Sequence, residues 1–301
     1  MFELKNEKIA IPVVLFAGLL WSFGPLVVRY MDQPGLVPWQ YIFARGLTIF
    51  IVLNLYLYFE EGKNFYKNYL RVGVSGLIGG CGLGVAMVTF IYSITNTSAA
   101  ITLLCLAAMP FFTALLGFLF LKEKISFNVW IAIIIATIGI IIIALGNTEK
   151  NSLIGLIFGM TSSIGFSVFS VTLRWRKETP KFTTVAIAGL FCVVIALVFI
   201  AINESTILSS SYNGALFSLH GTIVCMGLIL YSIGSKAIPA AELTLLSLTE
   251  VIGGIFWVWL PLFGINEIPS TNTIIGGFFL FMSIIYYSLT IKTNRRFIAL
   301  N

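Results

Sequence analysis

Charge is scarce along these 301 residues. Only 10% are Asp, Glu, Lys or Arg, while 58% are hydrophobic, and mean hydropathy is +1.00. Soluble domains carry about 25% charged residues, and much of any globule's surface must face water. A soluble fold is therefore excluded, whereas a lipid bilayer removes the need for a polar exterior. Histidine is reduced to His220 and aspartate to Asp32. One histidine cannot build a multi-histidine metal site, and one aspartate cannot supply the carboxylate cluster that magnesium-dependent prenyl transfer needs. The four cysteines, Cys81, Cys105, Cys192 and Cys225, lie in apolar runs and form no CxxC pair. They read as small buried hydrophobes, not as a metal site or disulfide framework. No GxxxxGK[ST] loop is present, so the chain does not itself hydrolyse ATP. No cofactor is expected.

What fills the chain instead is a succession of apolar runs of spanning length, about 20 residues each. Ten are expected: 9–31, 37–59, 70–94, 97–121, 127–146, 152–174, 182–202, 213–235, 238–263 and 271–291. The first is too long for a signal-peptide core and reads as a retained helix. The net charge of +6 resides in short loops, where it reads as an orientation signal and not as a nucleic-acid surface. With both termini placed in the cytoplasm, 15 of the 18 Lys and Arg residues fall on the cytoplasmic side, leaving Arg29, Arg45 and Lys150. A multi-pass protein of the cell inner membrane is expected, with the bilayer as its surroundings, as monomer or homodimer.

The sequence repeats itself. Thr102-Leu103-Leu104-Cys105-Leu106 recurs as Thr244-Leu245-Leu246-Ser247-Leu248. Glu123, Ser126 and Asn128 recur as Glu267, Ser270 and Asn272, and Trp21-Ser22 with Arg29 as Phe166-Ser167 with Arg174. The offsets stay between 142 and 145 residues. The chain is thus expected to be all α, with ten transmembrane helices in two five-helix repeats, residues 1–148 and 149–301. Five being odd, the second half is inverted relative to the first, a plan many transporters share.

Trp21-Ser22, Arg45, Pro110, Leu121-Lys122-Glu123-Lys124, Glu250, Trp257-Val258-Trp259 and Asn266-Glu267-Ile268-Pro269 together resemble the EamA family of the drug/metabolite transporter superfamily. The resemblance spans essentially the whole chain. It implies a central substrate cavity, alternating access and small-metabolite cargo such as amino acids, nucleotide sugars or choline. One departure stands out: many members carry proline after the glutamate of the ninth helix, and this chain has Val251. The proline bend of that level is then missing, although Gly253 and Gly254 could loosen the packing.

Ionisable groups inside a span are costly and face a cavity or a partner. Two qualify. Arg45 lies ~12 Å and Glu250 ~20 Å from the outer ends of their helices at 1.5 Å per residue. They are expected to share one cavity or to form an ion pair. Arg45 can hold a carboxylate through two parallel hydrogen bonds. Glu250 can attract an ammonium group or take up a coupling proton. His220 reads as a proton relay or a core histidine. Trp21, Tyr41, Tyr92 and Trp257 could hold a cationic group against their rings, with Ser22 beside Trp21. Glu242 reads as an interfacial charge, and Tyr56, Tyr58, Tyr286 and Tyr287 as an aromatic belt. Small-residue stripes, Gly76-Gly80-Gly84 and Gly155-Gly159-Ser163-Ser167, mark close helix contacts. Pro25, Pro110 and Pro261 can bend their helices.

The expected function is secondary transport of a small metabolite, an amino acid or related zwitterion, driven by a coupling proton or sodium ion or by exchange. The alternatives are a quaternary amine or other organic cation as cargo, or, outside transport, a membrane-embedded enzyme or a channel.

Overall fold

The structure is a computed structural model describing residues 6–96, 102, 105, 106, 108–145, 153–176, 178–264, 268 and 270–298. Leu103, Leu104 and Glu267, on which part of the repeat was read, lie outside the described residues, as do Lys5, Lys150, Lys177, Asn266 and Pro269. Among the described residues all regular structure is helical.

The principal helices are α1 (Glu7–Trp21), α2 (Gly24–Tyr30), α3 (Pro38–Glu61), α4 (Lys67–Arg71), α5 (Gly73–Asn96), α6 (Met109–Leu116), α7 (Phe127–Leu145), α8 (Leu153–Trp175), α9 (Lys181–Ile202), α10 (Ser211–Gly234), α11 (Ala240–Ser247), α12 (Thr249–Trp259) and α13 (Thr271–Ile298). They fall at the ten expected places, with boundaries shifted by a few residues. Among the described residues, seven segments are long and apolar enough to cross a bilayer; Met109–Leu121, Phe127–Gly139 and Ile274–Tyr287 are shorter apolar helices. Asn6 and Ser210 cap α1 and α10 by accepting from the backbone N–H groups of Lys8 and Asn213, each at 3.0 Å, which satisfies donors that a helix start leaves open. Large apolar side chains such as Phe118, Phe120, Ile134, Phe278 and Phe281 point outward, as a lipid-facing exterior requires.

Two expected proline bends appear as interruptions. Pro25 has no N–H for the Trp21 carbonyl, and α1 gives way to α2 there. Pro110 follows the turn at Ala108 from which α6 starts. Pro261 instead marks an end: α12 stops at Trp259 and a 3-10 turn, Pro261–Phe263, follows. The ninth segment breaks as well, at Leu248, even though Val251 replaces the proline. Hydroxyls account for that break. Ser247 donates to the Thr244 carbonyl at 2.8 Å, and Thr249 donates to Leu246 at 3.0 Å and across to Leu15 at 3.2 Å. Side-chain donors thus occupy carbonyls that an uninterrupted ladder would use.

The packing repeats between the halves. The third segment (α5) lies along the sixth (α8), as the eighth (α10) lies along the first (α1). The second (α3) packs on the seventh (α9), and the fifth (α7) on the tenth (α13). Exchanging each segment for the one five places on leaves this pattern unchanged, as an internal two-fold relation demands. At the centre of the α3–α9 seam, a Cβ on Gly46 would lie 2.8 Å from the Gly189 carbonyl oxygen, and one on Gly189 would lie 2.8 Å from that of Gly46. The two residues are 143 apart, the repeat offset itself, and only glycine lets the backbones meet this closely. The expected stripes are contact surfaces: Gly76 and Gly80 face Thr184, and Ser167 donates to the Met109 carbonyl at 3.1 Å.

Candidate substrate cavity

Midway along the bundle lies a cavity of about 90 Å³, large enough for several waters. Its wall carries Trp21, Arg45, Ser162, Phe166, His220 and Glu250. Arg45 sits on α3 beside the Gly46 seam and is 4% exposed. One terminal nitrogen donates to the Met87 carbonyl at 3.0 Å, while Nε has no partner among the described residues. Its guanidinium carbon lies 5.5 Å from the Tyr41 ring centroid, a cation–π distance. Glu250 stands in the first turn of α12, just past the break at Leu248, where a helix N-terminus favours a carboxylate. It makes no hydrogen bond or ion pair with any described residue. Arg45 and Glu250 therefore face one cavity without closing on each other.

His220 completes the polar set. It is 2% exposed; Nδ1 is hydrogen-bonded to the Tyr41 hydroxyl, and Nε2 has no partner among the described residues. Trp21 donates from its indole to the Val224 carbonyl at 3.2 Å, which fixes its ring against Phe166 at 5.6 Å and Tyr231 at 5.4 Å between centroids. Trp21 and Phe166 line the cavity, and Tyr231 and Phe169 pack behind them on the side of the α8 C-terminus.

The other expected site residues stand elsewhere. Tyr41 is one layer behind the wall. The Ser22 hydroxyl donates to Leu19 at 2.5 Å and accepts from the Trp257 indole at 2.7 Å. Trp257 stacks on Phe23 at 4.7 Å, and Tyr92 packs between Trp39 and Phe158. Ser22, Trp257 and Tyr92 thus brace the helices and are not part of the cavity wall. Conversely, Phe166 and Ser162 line the cavity and were not expected there. Phe166 was findable, since the repeat equates it with Trp21; Ser162 carried no such signal.

Beyond Tyr231 and Phe169 lies a second polar cluster. Arg174, at the end of α8, donates from Nε to Glu123 at 2.6 Å, and from a terminal nitrogen to the Ser235 and Ile238 carbonyls at 2.7 Å each. Glu123 also accepts from the Ala240 N–H at 3.1 Å, at the start of α11. Tyr287 donates to Glu242. This corrects one expectation: Tyr287 is fully buried and not a belt residue. Glu242 is half-buried.

Comparison with known proteins agrees with this architecture. Residues 8–145 match the EamA-like transporter family. That stretch, a little under half of the chain, is similar to the EamA-like transporter domain, and the relatives named as transporters agree with the likeness. An uncharacterized transporter of Helicobacter pylori is 29% identical over 168 residues, covering 54% of this chain and 52% of the relative, so the chain spans about half the length of that relative. The pseudopaline exporter CntI of Pseudomonas aeruginosa is 24% identical over 68% of this chain and 72% of its own. The uncharacterized transporter YdfC of Bacillus subtilis is 27% identical over 68% of this chain and 67% of its own. A solved crystal structure superposes with a TM-score of 0.74 at 17% identity, covering 95% of this chain and 99% of its own; it shares the fold. The chain is accordingly a multi-pass membrane protein whose first part matches a transporter family.

Proposed function

We propose that the protein moves a small zwitterionic metabolite, such as an amino acid, across the bacterial inner membrane by alternating access. The carrying observation is that Arg45 and Glu250 face one internal cavity without pairing. Arg45 is buried and keeps Nε open, and Glu250 is partly buried and hydrogen-bonded to no described residue; a cargo with a carboxylate for Arg45 and an ammonium for Glu250 satisfies both. The two halves, 1–148 and 149–301, rock against each other about the Gly46–Gly189 seam. The Arg174–Glu123 cluster and the rings of Tyr231 and Phe169 form the closed gate of one end, the cytoplasmic end if both termini are inside. Glu250 also takes up the coupling proton. One relative is named an exporter, so outward movement is the direction to test first.

A second reading, an organic cation as cargo, draws on Trp21 and Phe166 in the wall near Glu250. It needs the carboxylate and the rings but not Arg45. Purified protein in proteoliposomes separates the two. Under the main reading, labelled L-amino acids exchange across the vesicle wall and Arg45→Ala abolishes the exchange. Under the second, labelled tetramethylammonium moves and Arg45→Ala is silent. No saturable flux of either class would overturn both.

A further inference from the structure

We infer that His220 is a specificity-determining residue of the cavity: Tyr41 holds its imidazole as the neutral tautomer protonated on Nε2, and that N–H joins Arg45 in binding the anionic oxygen of the cargo. The inference deepens the proposed function and rests on it.

The hydrogen-bond arrangement carries the argument. The Tyr41 hydroxyl and His220 Nδ1 share a hydrogen bond, and both residues are buried. Either atom could in principle donate. The Arg45 guanidinium beside Tyr41 decides between them. A cation attracts the phenol oxygen's lone pairs and turns the O–H bond away from itself, towards Nδ1. Were Nδ1–H the donor, the buried hydroxyl hydrogen would lack an acceptor among the described residues, an arrangement folded proteins avoid. An imidazole that accepts at Nδ1 and is neutral carries its proton on Nε2.

That N–H is left unused by the protein. Nε2 is buried and has no partner among the described residues. It faces Gly24, where a Cβ would lie 3.4 Å away, and both residues line the cavity. Arg45 Nε is a second buried donor without a partner. Two spare donors on the α3–α10 side and one spare carboxylate on α12 match a ligand carrying an anionic oxygen at one end and an ammonium at the other. Tyr41 does not reach the cavity and is a positioning residue.

The chain has one histidine, so protein labelled with 15N-histidine gives a single pair of imidazole signals. Expected in the ligand-free wild type is a neutral ring with the proton on Nε2, and in Tyr41→Phe a mixture of tautomers. A ring protonated on Nδ1, or on both nitrogens, at neutral pH would overturn the inference before any ligand is added. The second arm is binding of the standard L-amino acids, and of the amines that lack their carboxylate, to purified protein. Gln places an amide N–H near the position of Nε2, whereas Asn places it near Nδ1. His220→Gln is expected to bind the preferred amino acid within about threefold of wild type, and His220→Asn and His220→Phe at least about tenfold more weakly, as loss of a charge-assisted hydrogen bond predicts. Binding of the matching amine should not change. Equal losses in the Gln and Asn variants would overturn the assignment. If the wild type binds no amino acid at all, the zwitterion reading falls with it, while the tautomer measurement stands by itself.

Discussion

Two polar clusters lie along this bundle, and they are built on opposite plans. At the α8 C-terminus, Arg174 spends its guanidinium on Glu123, Ser235 and Ile238, Glu123 caps Ala240, and Tyr287 satisfies Glu242. Midway along, Arg45 spends one nitrogen on Met87 and leaves Nε open, Glu250 bonds to no described residue, and His220 leaves Nε2 open. Both clusters are largely enclosed by helices. A satisfied network stiffens the elements it joins, whereas an unsatisfied one stores a cost that only a missing partner relieves. The first cluster reads as a clasp and the second as a receptor.

That contrast can be broken by experiment. Its largest expected consequence is at Glu250. Glu250→Gln should cut proteoliposome transport by at least about 100-fold, in line with loss of a charge-assisted contact and of coupling, while thermal stability holds or rises. Wild-type flux in that variant would remove Glu250 from the site. Next is Arg174→Ala, for which the contrast predicts a lower melting temperature. About 1–3 kcal/mol is expected from the two carbonyl bonds and the half-buried ion pair, the pair itself contributing less because water reaches it. Arg174→Lys should recover little, since a point donor cannot serve three acceptors in a plane. An unchanged melting temperature would mean that the clasp holds nothing. Gly46→Ala examines the seam between the clusters. Its Cβ would meet Cys192 at 2.7 Å and the Gly189 carbonyl at 2.8 Å, an overpacking worth about 1–3 kcal/mol. Smallest is Thr249→Val, which removes two hydroxyl contacts at the Leu248 break, about 1 kcal/mol in all; a straightened helix should also lower affinity for cargo, read by isothermal calorimetry.

Much of the fold was legible because the bilayer imposes one rule, helices of about 20 apolar residues. Each of the ten expected places holds a helix. The repeat was legible in Trp21/Phe166 and Arg29/Arg174, and the packing follows it. The break at Leu248 was not. Its cause is a set of Ser and Thr hydroxyls whose targets depend on how the backbone already runs, whereas proline announces itself in the sequence. Within the cavity, Arg45 and Glu250 were readable from the cost of ionisable groups in lipid, His220 as the one histidine, and Trp21 as an aromatic ring able to meet a cation. Tyr92 and Trp257 carried the same aromatic signal as Trp21, and Ser22 stood beside it; all three brace helices instead. Residue type and depth give distance across the membrane but not rotation about the helix axis. Rotation also separates Tyr287, fully buried against Glu242, from the belt residue its position suggested.

The central claim is that Arg45 and Glu250 are held apart for a cargo and do not serve the fold. Replacing both at once, Arg45→Met with Glu250→Leu, and measuring the melting temperature of the purified protein tests it directly. Apolar groups of similar size remove a buried cation and a partly buried carboxylate that form no ion pair with each other, so the account predicts an equal or higher melting temperature together with complete loss of transport. A clear fall in melting temperature would contradict it, since the two charges would then be part of what holds the helices together.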